Sequence, residues 1–317
     1  MRRARNLVKI FGLITLVFIS EVSLSQDYER VDASILLYPE RFDSVEGLSR
    51  FISRDFTTEE DKVRAIYTWI ILNVEYEPDE YKKFNFKFKN YRERNSKEEK
   101  TREAVIKRTL KKGIAVCEGY AMLFEKLCEL QGISNYLVRG DIKSNFDDIG
   151  RPFKKSHMWN VAVIDSIPYL FDPTWGAGKY NGKFIKEPTY FYYKTKPELF
   201  FKTHYPSMFE DAFIDGIVSR EVFSSMPLVI QEQLESSQVE LPINGMLRAD
   251  AYIDSIPFII SNCDTKEVSY LFRGKKYPVK NKETKDGRLH FSIPLQLGMK
   301  NLLIYFDDQP ALGYRIK

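Results

Sequence analysis

The sequence predicts an α+β core, with a helix that opens on a cysteine packed on an antiparallel sheet, followed by a small all-β sandwich. Three observations predict it. Positions 120, 121, 123, 124, 127, 128 and 130 are apolar, which makes 118–131 a mostly buried helix opened by Cys117. Behind it come extended runs at 133–139, 157–164 and 168–172, the last two separated by Asp165-Ser166, a plausible hairpin turn. From about Val239 the texture changes to short alternating runs (247–253, 257–261, 268–272, 289–293, 301–306) between turn-like Asn, Asp, Gly and Lys clusters. Regular short strands of this kind suggest a β-sandwich of immunoglobulin type. The expected division is 1–25, 26–236 and 237–317.

The first segment is a targeting signal rather than part of the fold. Arg2, Arg3, Arg5 and Lys9 precede an apolar run at 10–19, and Ser23-Leu24-Ser25 offers small residues for cleavage near Ser25. The run is half of the ~20 residues a spanning helix needs. The chain is therefore expected to be exported, to a periplasm or outside the cell, with no transmembrane segment in its mature form. The four basic residues and Glu21 of this segment carry +3 of the formal +4. The mature chain is left near +1, so the basic balance says little about nucleic acid, which export also disfavours.

Thr57-Thr58-Glu59-Glu60-Asp61 reads as a capped helix start, and Ala65, Ile66, Trp69, Ile70 and Asn73 recur at helical spacing. That makes 58–73 a helix with Trp69 in the core, ended by Pro78, with Val74-Glu75-Tyr76 extended. Residues 82–112 hold 13 Lys/Arg against 4 Glu, interleaved with Phe84, Phe86, Phe88 and Tyr91. Such a stretch is either a solvated loop feeding an exposed helix at about 98–111, or a contact for an anionic surface. Gly113 ends it, and Gln131-Gly132 stops the next helix. Residues 140–156 read as a polar loop, and Gly176 to Gly182 as a glycine-rich loop at the mouth of a site. Residues 183–236 are aromatic-rich without clear periodicity.

The candidate chemistry is a thiol site: Cys117, His157 and Asp172, in that chain order. A thiol is a weak nucleophile until it ionises. A helix N-terminus and a nearby imidazole both favour the thiolate, and the imidazole can then protonate a leaving group. An even-numbered hairpin turn puts His157 and Asp172 on one sheet face, opposite or diagonal, where the carboxylate can orient the ring. The Cys117 N–H is the natural oxyanion donor, with Tyr76 a candidate for the second. Singly, each residue has a bland reading: a small core Cys, a structural His, an Asp that forms a turn before Pro. The other cysteines are Cys128 and Cys263. If 117–128 is helical, Cys117 and Cys128 stand ~16 Å apart, so Cys117 is either free or paired to Cys263. The three His (157, 204, 290) are scattered, which argues against a zinc site. No metal and no cofactor is called for.

Val116-Cys117-Glu118-Gly119-Tyr120-Ala121, Ser156-His157-Met158-Trp159-Asn160-Val161 and Asp172-Pro173-Thr174-Trp175-Gly176 together resemble the three blocks of the transglutaminase-like superfamily. The resemblance covers roughly residues 50–215. It is greatest to the branch that includes kyphoscoliosis peptidase, which Ala65-Ile66-Tyr67-Thr68-Trp69-Ile70 and His204-Tyr205-Pro206 also resemble. It implies a papain-like core with Cys117 as nucleophile, His157 as base and Asp172 as orienting acid. Members make or break amides through a thioester. Met158 departs from the Ala usual between the His and the Trp. The expected function is an exported cysteine-dependent acyl-transfer enzyme on peptide or protein amides, foremost a peptidase. A non-catalytic binding scaffold and a glutamine-crosslinking transglutaminase are the alternatives.

Overall fold

Three helices come first among the described residues of the computed structural model, which are 28–83, 91–230, 234 and 237–317. The expected signal segment, 1–25, lies outside the described residues, as do 84–90 of the basic stretch. The helices are α1 (Tyr28–Ile35), α2 (Val45–Asp55) and α3 (Glu59–Asn73). Thr58 caps α3 by accepting from the Asp61 N–H at 3.1 Å, and three acids fill its first turn. Trp69 is fully buried and donates to the Pro39 carbonyl at 3.0 Å. α3 ends at Asn73 rather than at Pro78. Val74 is already extended, because β1 (Glu75–Tyr76) pairs in parallel with β2 (Ile114–Ala115), and Pro78 instead opens a 3-10 turn.

Between β1 and β2 runs α4 (Tyr91–Lys112), longer than the 98–111 expected. Part of its charge is matched: Arg108 pairs with Glu80, Arg102 with Glu125, and Lys111 with Asp43 at 3.1 Å. α5 (Cys117–Leu130) follows β2 directly. A Cβ on Gly119 would stand 2.5 Å from Thr109 Oγ1 and 2.6 Å from the Ala115 Cβ, so only glycine lets α4 and α5 approach this closely.

α5 packs on β3 (Asn135–Ile142) and β4 (His157–Ile164). β3 runs further than the expected 133–139, because residues 204–206 pair along its far end. β5 (Ile167–Phe171) returns from β4 through the two-residue turn Asp165-Ser166, both at positive φ (49° and 67°), the geometry that matches strand twist. α6 (Pro173–Ala177) and the hairpin of β6 (Gly178–Tyr180) and β7 (Phe184–Lys186) occupy the segment expected to be a glycine-rich loop. The Asp172 cap and Pro173 start that helical turn. β8 (Tyr193–Thr195), α7 (Pro197–Phe200) and β9 (His204–Pro206) follow, and the sheet order is β8-β5-β4-β3-β9, antiparallel throughout.

α8 (Arg220–Ser225) leads to β10 (Leu228–Val229). The all-β region contains β11 (Gln238–Leu241), β12 (Met246–Leu247), β13 (Ser255–Ser261), β14 (Val268–Phe272), β15 (Lys275–Pro278), β16 (Lys282–Lys285), β17 (Arg288–Pro294), β18 (Asn301–Phe306) and β19 (Gln309–Ile316). One sheet is β10-β19-β18-β14-β15, with β12 beside β19; the other is β11-β13-β17-β16. Alternate residues of β13, β17 and β18 (Ile256, Phe258, Ile260; Leu289, Phe291, Ile293; Leu302, Ile304, Phe306) fill the core between them. The run expected at 247–253 is not a strand. It leaves β12 after Leu247 and forms a 3-10 turn at Ala249–Ala251, with Ile253 almost fully exposed. β10 lies ahead of residue 237 yet pairs with β19.

Candidate active site

Chain geometry delivers the three expected residues to one place. Cys117 is the first residue of α5, after an N-cap (Val116) that offers no side-chain hydrogen bond. The register Asn160↔Phe171 puts Asp172 opposite Trp159, and hence diagonal to His157 on the same face. His157 Nε2 lies 2.7 Å from Asp172 Oδ2. The thiol of Cys117 interacts with the same imidazole. Since Nε2 is taken by the carboxylate, Nδ1 is left for the thiol. All three are nearly sealed from solvent: Cys117 and His157 are 6% exposed and Asp172 is 0% exposed.

Asp172 is saturated. Its Oδ1 caps α6, accepting from the Thr174 and Trp175 N–H groups at 2.9 and 3.1 Å. Its Oδ2 accepts a second imidazole, His204 Nε2, at 3.1 Å. Against burial, which alone would raise it, the His157 charge and these hydrogen bonds hold the Asp172 carboxyl well below the usual range. Burial disfavours charge on His157 too, but the Asp172 carboxylate wins and lifts the imidazole to about 10. His204 goes the other way: burial pushes it down, so it stays neutral. A neutral ring that donates from Nε2 must accept at Nδ1, where the Thr203 hydroxyl sits at 2.8 Å. The order is then Thr203, His204, Asp172, His157, Cys117.

Two of the three histidines are therefore not scattered as the sequence suggested, while His290 lies on β17, away from the site. β9 folds back along the far end of β3 and brings His204 to Asp172. Together with His157 they place three ligand atoms within 4.8 Å, a donor set that zinc also uses. Here both imidazoles sit at hydrogen-bond distance on one oxygen, the geometry of a proton-ordered network. No regular period marks His204; its signal was local, in His204-Tyr205-Pro206.

Aromatic rings wall the site. Trp175 lies 6.0 Å from the His157 ring and 4.7 Å from His204, and Phe200 stacks on His204 at 4.0 Å. Trp159 packs on the same His204 at 5.3 Å, and a Cβ on Gly140 would meet the Trp159 ring at 2.3 Å. Met158 is buried against Cys117 and Ala121. Tyr76 is half-buried beside the thiol. Burial, with the Cys117 and Glu118 charges, pushes its phenol up to about 12, so it remains a hydrogen-bond donor at neutral pH.

The thiol departs from expectation in one respect. The helix start and the imidazole were expected to depress its pKa, but burial raises it, opposed by His157 and reinforced by Glu118. Glu118 Oε2 accepts from Cys117 Sγ at 3.2 Å. All three cysteines are free, which settles the pairing left open between Cys117 and Cys263.

Residues 47–171 match the family model of the transglutaminase-like superfamily. The chain carries a transglutaminase-like domain. Two curated relatives agree with the kyphoscoliosis peptidase branch read from the motifs. The kyphoscoliosis peptidase of Homo sapiens is 30% identical over 189 residues, 57% of this chain and 26% of the relative. That of Mus musculus is 29% identical over 187 residues, 56% and 25%. The chain thus spans about a quarter of the length of these relatives. Among solved structures, a TGase shares 15% identity over 54% of this chain and 38% of its own, with a TM-score of 0.29. A candidate cysteine protease from Cytophaga hutchinsonii shares 20% over 49% and 45%, with a TM-score of 0.28. The architecture is the expected one: a transglutaminase-like core of mixed helix and sheet with an additional all-β region.

Proposed function

We propose that the transglutaminase-like domain is a cysteine-dependent acyl-transfer enzyme that cleaves peptide or protein amides through a thioester on Cys117. The observation that carries this is the buried His157–Asp172 contact of 2.7 Å, with the Cys117 thiol interacting with the same imidazole. Cys117 Sγ, as thiolate, attacks the amide carbonyl. The Cys117 N–H, free of an intrahelical acceptor at the start of α5, and the Tyr76 hydroxyl stabilise the oxyanion. The imidazolium of His157 protonates the leaving amine, and the C–N bond breaks to leave a thioester. Neutral His157 then takes a proton from water, which attacks the thioester, and the thiol is regenerated. Asp172 holds the ring throughout, and His204 holds Asp172. Polypeptide hydrolysis is the favoured outcome, and the relatives' name supports it. With a lysine amine in place of water, the same steps crosslink.

The test is amide hydrolysis by the purified chain on a denatured protein mixture. Cys117→Ala is expected to abolish it, while persistence of cleavage in that variant removes the proposal. One observation favours the scaffold reading: Cys117 is 6% exposed and packs against the buried Met158. Met158→Ala removes that packing and leaves space beside the thiol. A gain in Cys117 alkylation with no hydrolysis in either form would favour a scaffold. Export is proposed from the N-terminal basic and apolar segment, and the N-terminal sequence of the protein recovered from its native host tests it. Cleavage near Ser25 is expected.

A further inference from the structure

Acyl transfer as written leaves Glu118 without a task, although its carboxylate touches the nucleophile. Glu118 is the second residue of α5, with a side chain 23% exposed. Its Oε2 accepts from Cys117 Sγ at 3.2 Å. Its Oε1 faces outward, 3.8 Å from Nη1 of Arg139 on β3, a guanidinium that is half exposed. One carboxylate therefore bridges a buried thiol and a cation that meets solvent. The two partners make opposite demands. A carboxylate on the S–H keeps the proton on sulfur, whereas a cation on the carboxylate spreads its charge and weakens that hold.

We propose that Glu118 is a cation-reading latch: at rest it retains the Cys117 proton, and a primary ammonium on the substrate polypeptide, as on a lysine side chain, draws it off and frees the nucleophile. The proposal rests on Cys117 being the nucleophile of acyl transfer. No bond to Glu118 is made or broken. When the latch is drawn off, the S–H proton passes to water and the thiolate stands beside the His157 imidazolium. The substrate class that follows is a polypeptide with lysine next to the amide that reacts. Arg139 marks the approach a cation takes. Burial raises the thiol first, and the Glu118 carboxylate adds to that rise. The groups facing the thiol are His157 from β4 with Asp172 behind it, Tyr76 from β1, and Glu118 from its own helix, with Arg139 beyond.

The test is the rate of Cys117 alkylation by uncharged iodoacetamide at pH 7, read by peptide mass mapping. Glu118→Gln is expected to raise the rate roughly tenfold, about one unit of thiol pKa. Arg139→Gln, at a half-exposed position where folding is not at stake, is expected to lower it. N-acetyl-lysine methylamide should accelerate wild type but not Glu118→Gln, and N-acetyl-norleucine methylamide should accelerate neither. A Glu118→Gln rate at or below wild type, or equal acceleration of both by the lysine amide, overturns the latch. His157→Ala separates the two readings. If it slows alkylation while Glu118→Gln changes nothing, only the latch fails. If His157→Ala matches wild type, the acyl-transfer reading is what fails.

Discussion

Asp172 is the residue on which the site's polar order converges. It accepts two imidazoles and two backbone N–H groups with no exposed surface. Removing it leaves a buried imidazolium without a counter-charge. Asp172→Ala should cost about 3–5 kcal/mol of stability, the usual penalty for breaking a buried pair, measured by urea unfolding at pH 6. His204 acts only through Asp172. His204→Leu should lower kcat about 10-fold, the low end for partners that orient a reacting side chain, with KM unchanged; equal kcat would assign His204 to packing alone. Cys117, His157 and Asp172 were legible because each sat in a distinctive local block. His204 and Glu118 also lay in recognisable motifs, but their roles were not legible there. The partner of His204 is 32 residues away, and its closeness depends on a three-residue strand. Glu118 was read as part of a motif, and only the coordinates set its oxygen against the thiol.

At the scale of elements, the hairpin and the cysteine helix were readable because their period and turn chemistry agree. Asp165-Ser166 makes a two-residue turn, and parity then fixes His157 and Asp172 on one face. The segment 183–236 resisted because its elements are short: β8, α7 and β9 each have three or four residues, too few to show a period. Residues 247–253 misled by alternating without pairing along their length. Gly140 is the element-scale test. It sits opposite His157 in the β3–β4 register, and any side chain there meets the Trp159 ring. Gly140→Ala should destabilise by about 1–3 kcal/mol through overpacking, seen as a lower urea midpoint with unchanged slope.

Over the whole molecule, two buried cations pull the pH dependence of stability in opposite directions. His157 is raised to about 10. Its contribution is complete below its unfolded value near ~6.5 and is lost as pH climbs to about 10. Lys143, at the end of β3, is lowered by burial to about 7. Its Nζ donates to the carbonyls of Phe223, Met226 and Pro227 at 2.8, 3.1 and 3.3 Å, clasping the segment between α8 and β10. Between about 7 and its unfolded value near ~10.4, the unfolded chain binds more protons at this site, so Lys143 makes stability rise with pH. Lys143→Met should remove that rise. The variant's unfolding free energy then falls more steeply from pH 7 to 10 than wild type's, and parallel curves would show that Lys143 does not titrate in this range.

The central claim is that His157 governs the ionisation of Cys117. The most direct measurement is the rate of Cys117 alkylation against pH, in wild type and in His157→Ala. The account predicts that removing the imidazole moves the titration to higher pH and slows alkylation at pH 7, because the group opposing burial is gone. Superimposable profiles would contradict it, and Cys117 would then be a buried helix residue without a base.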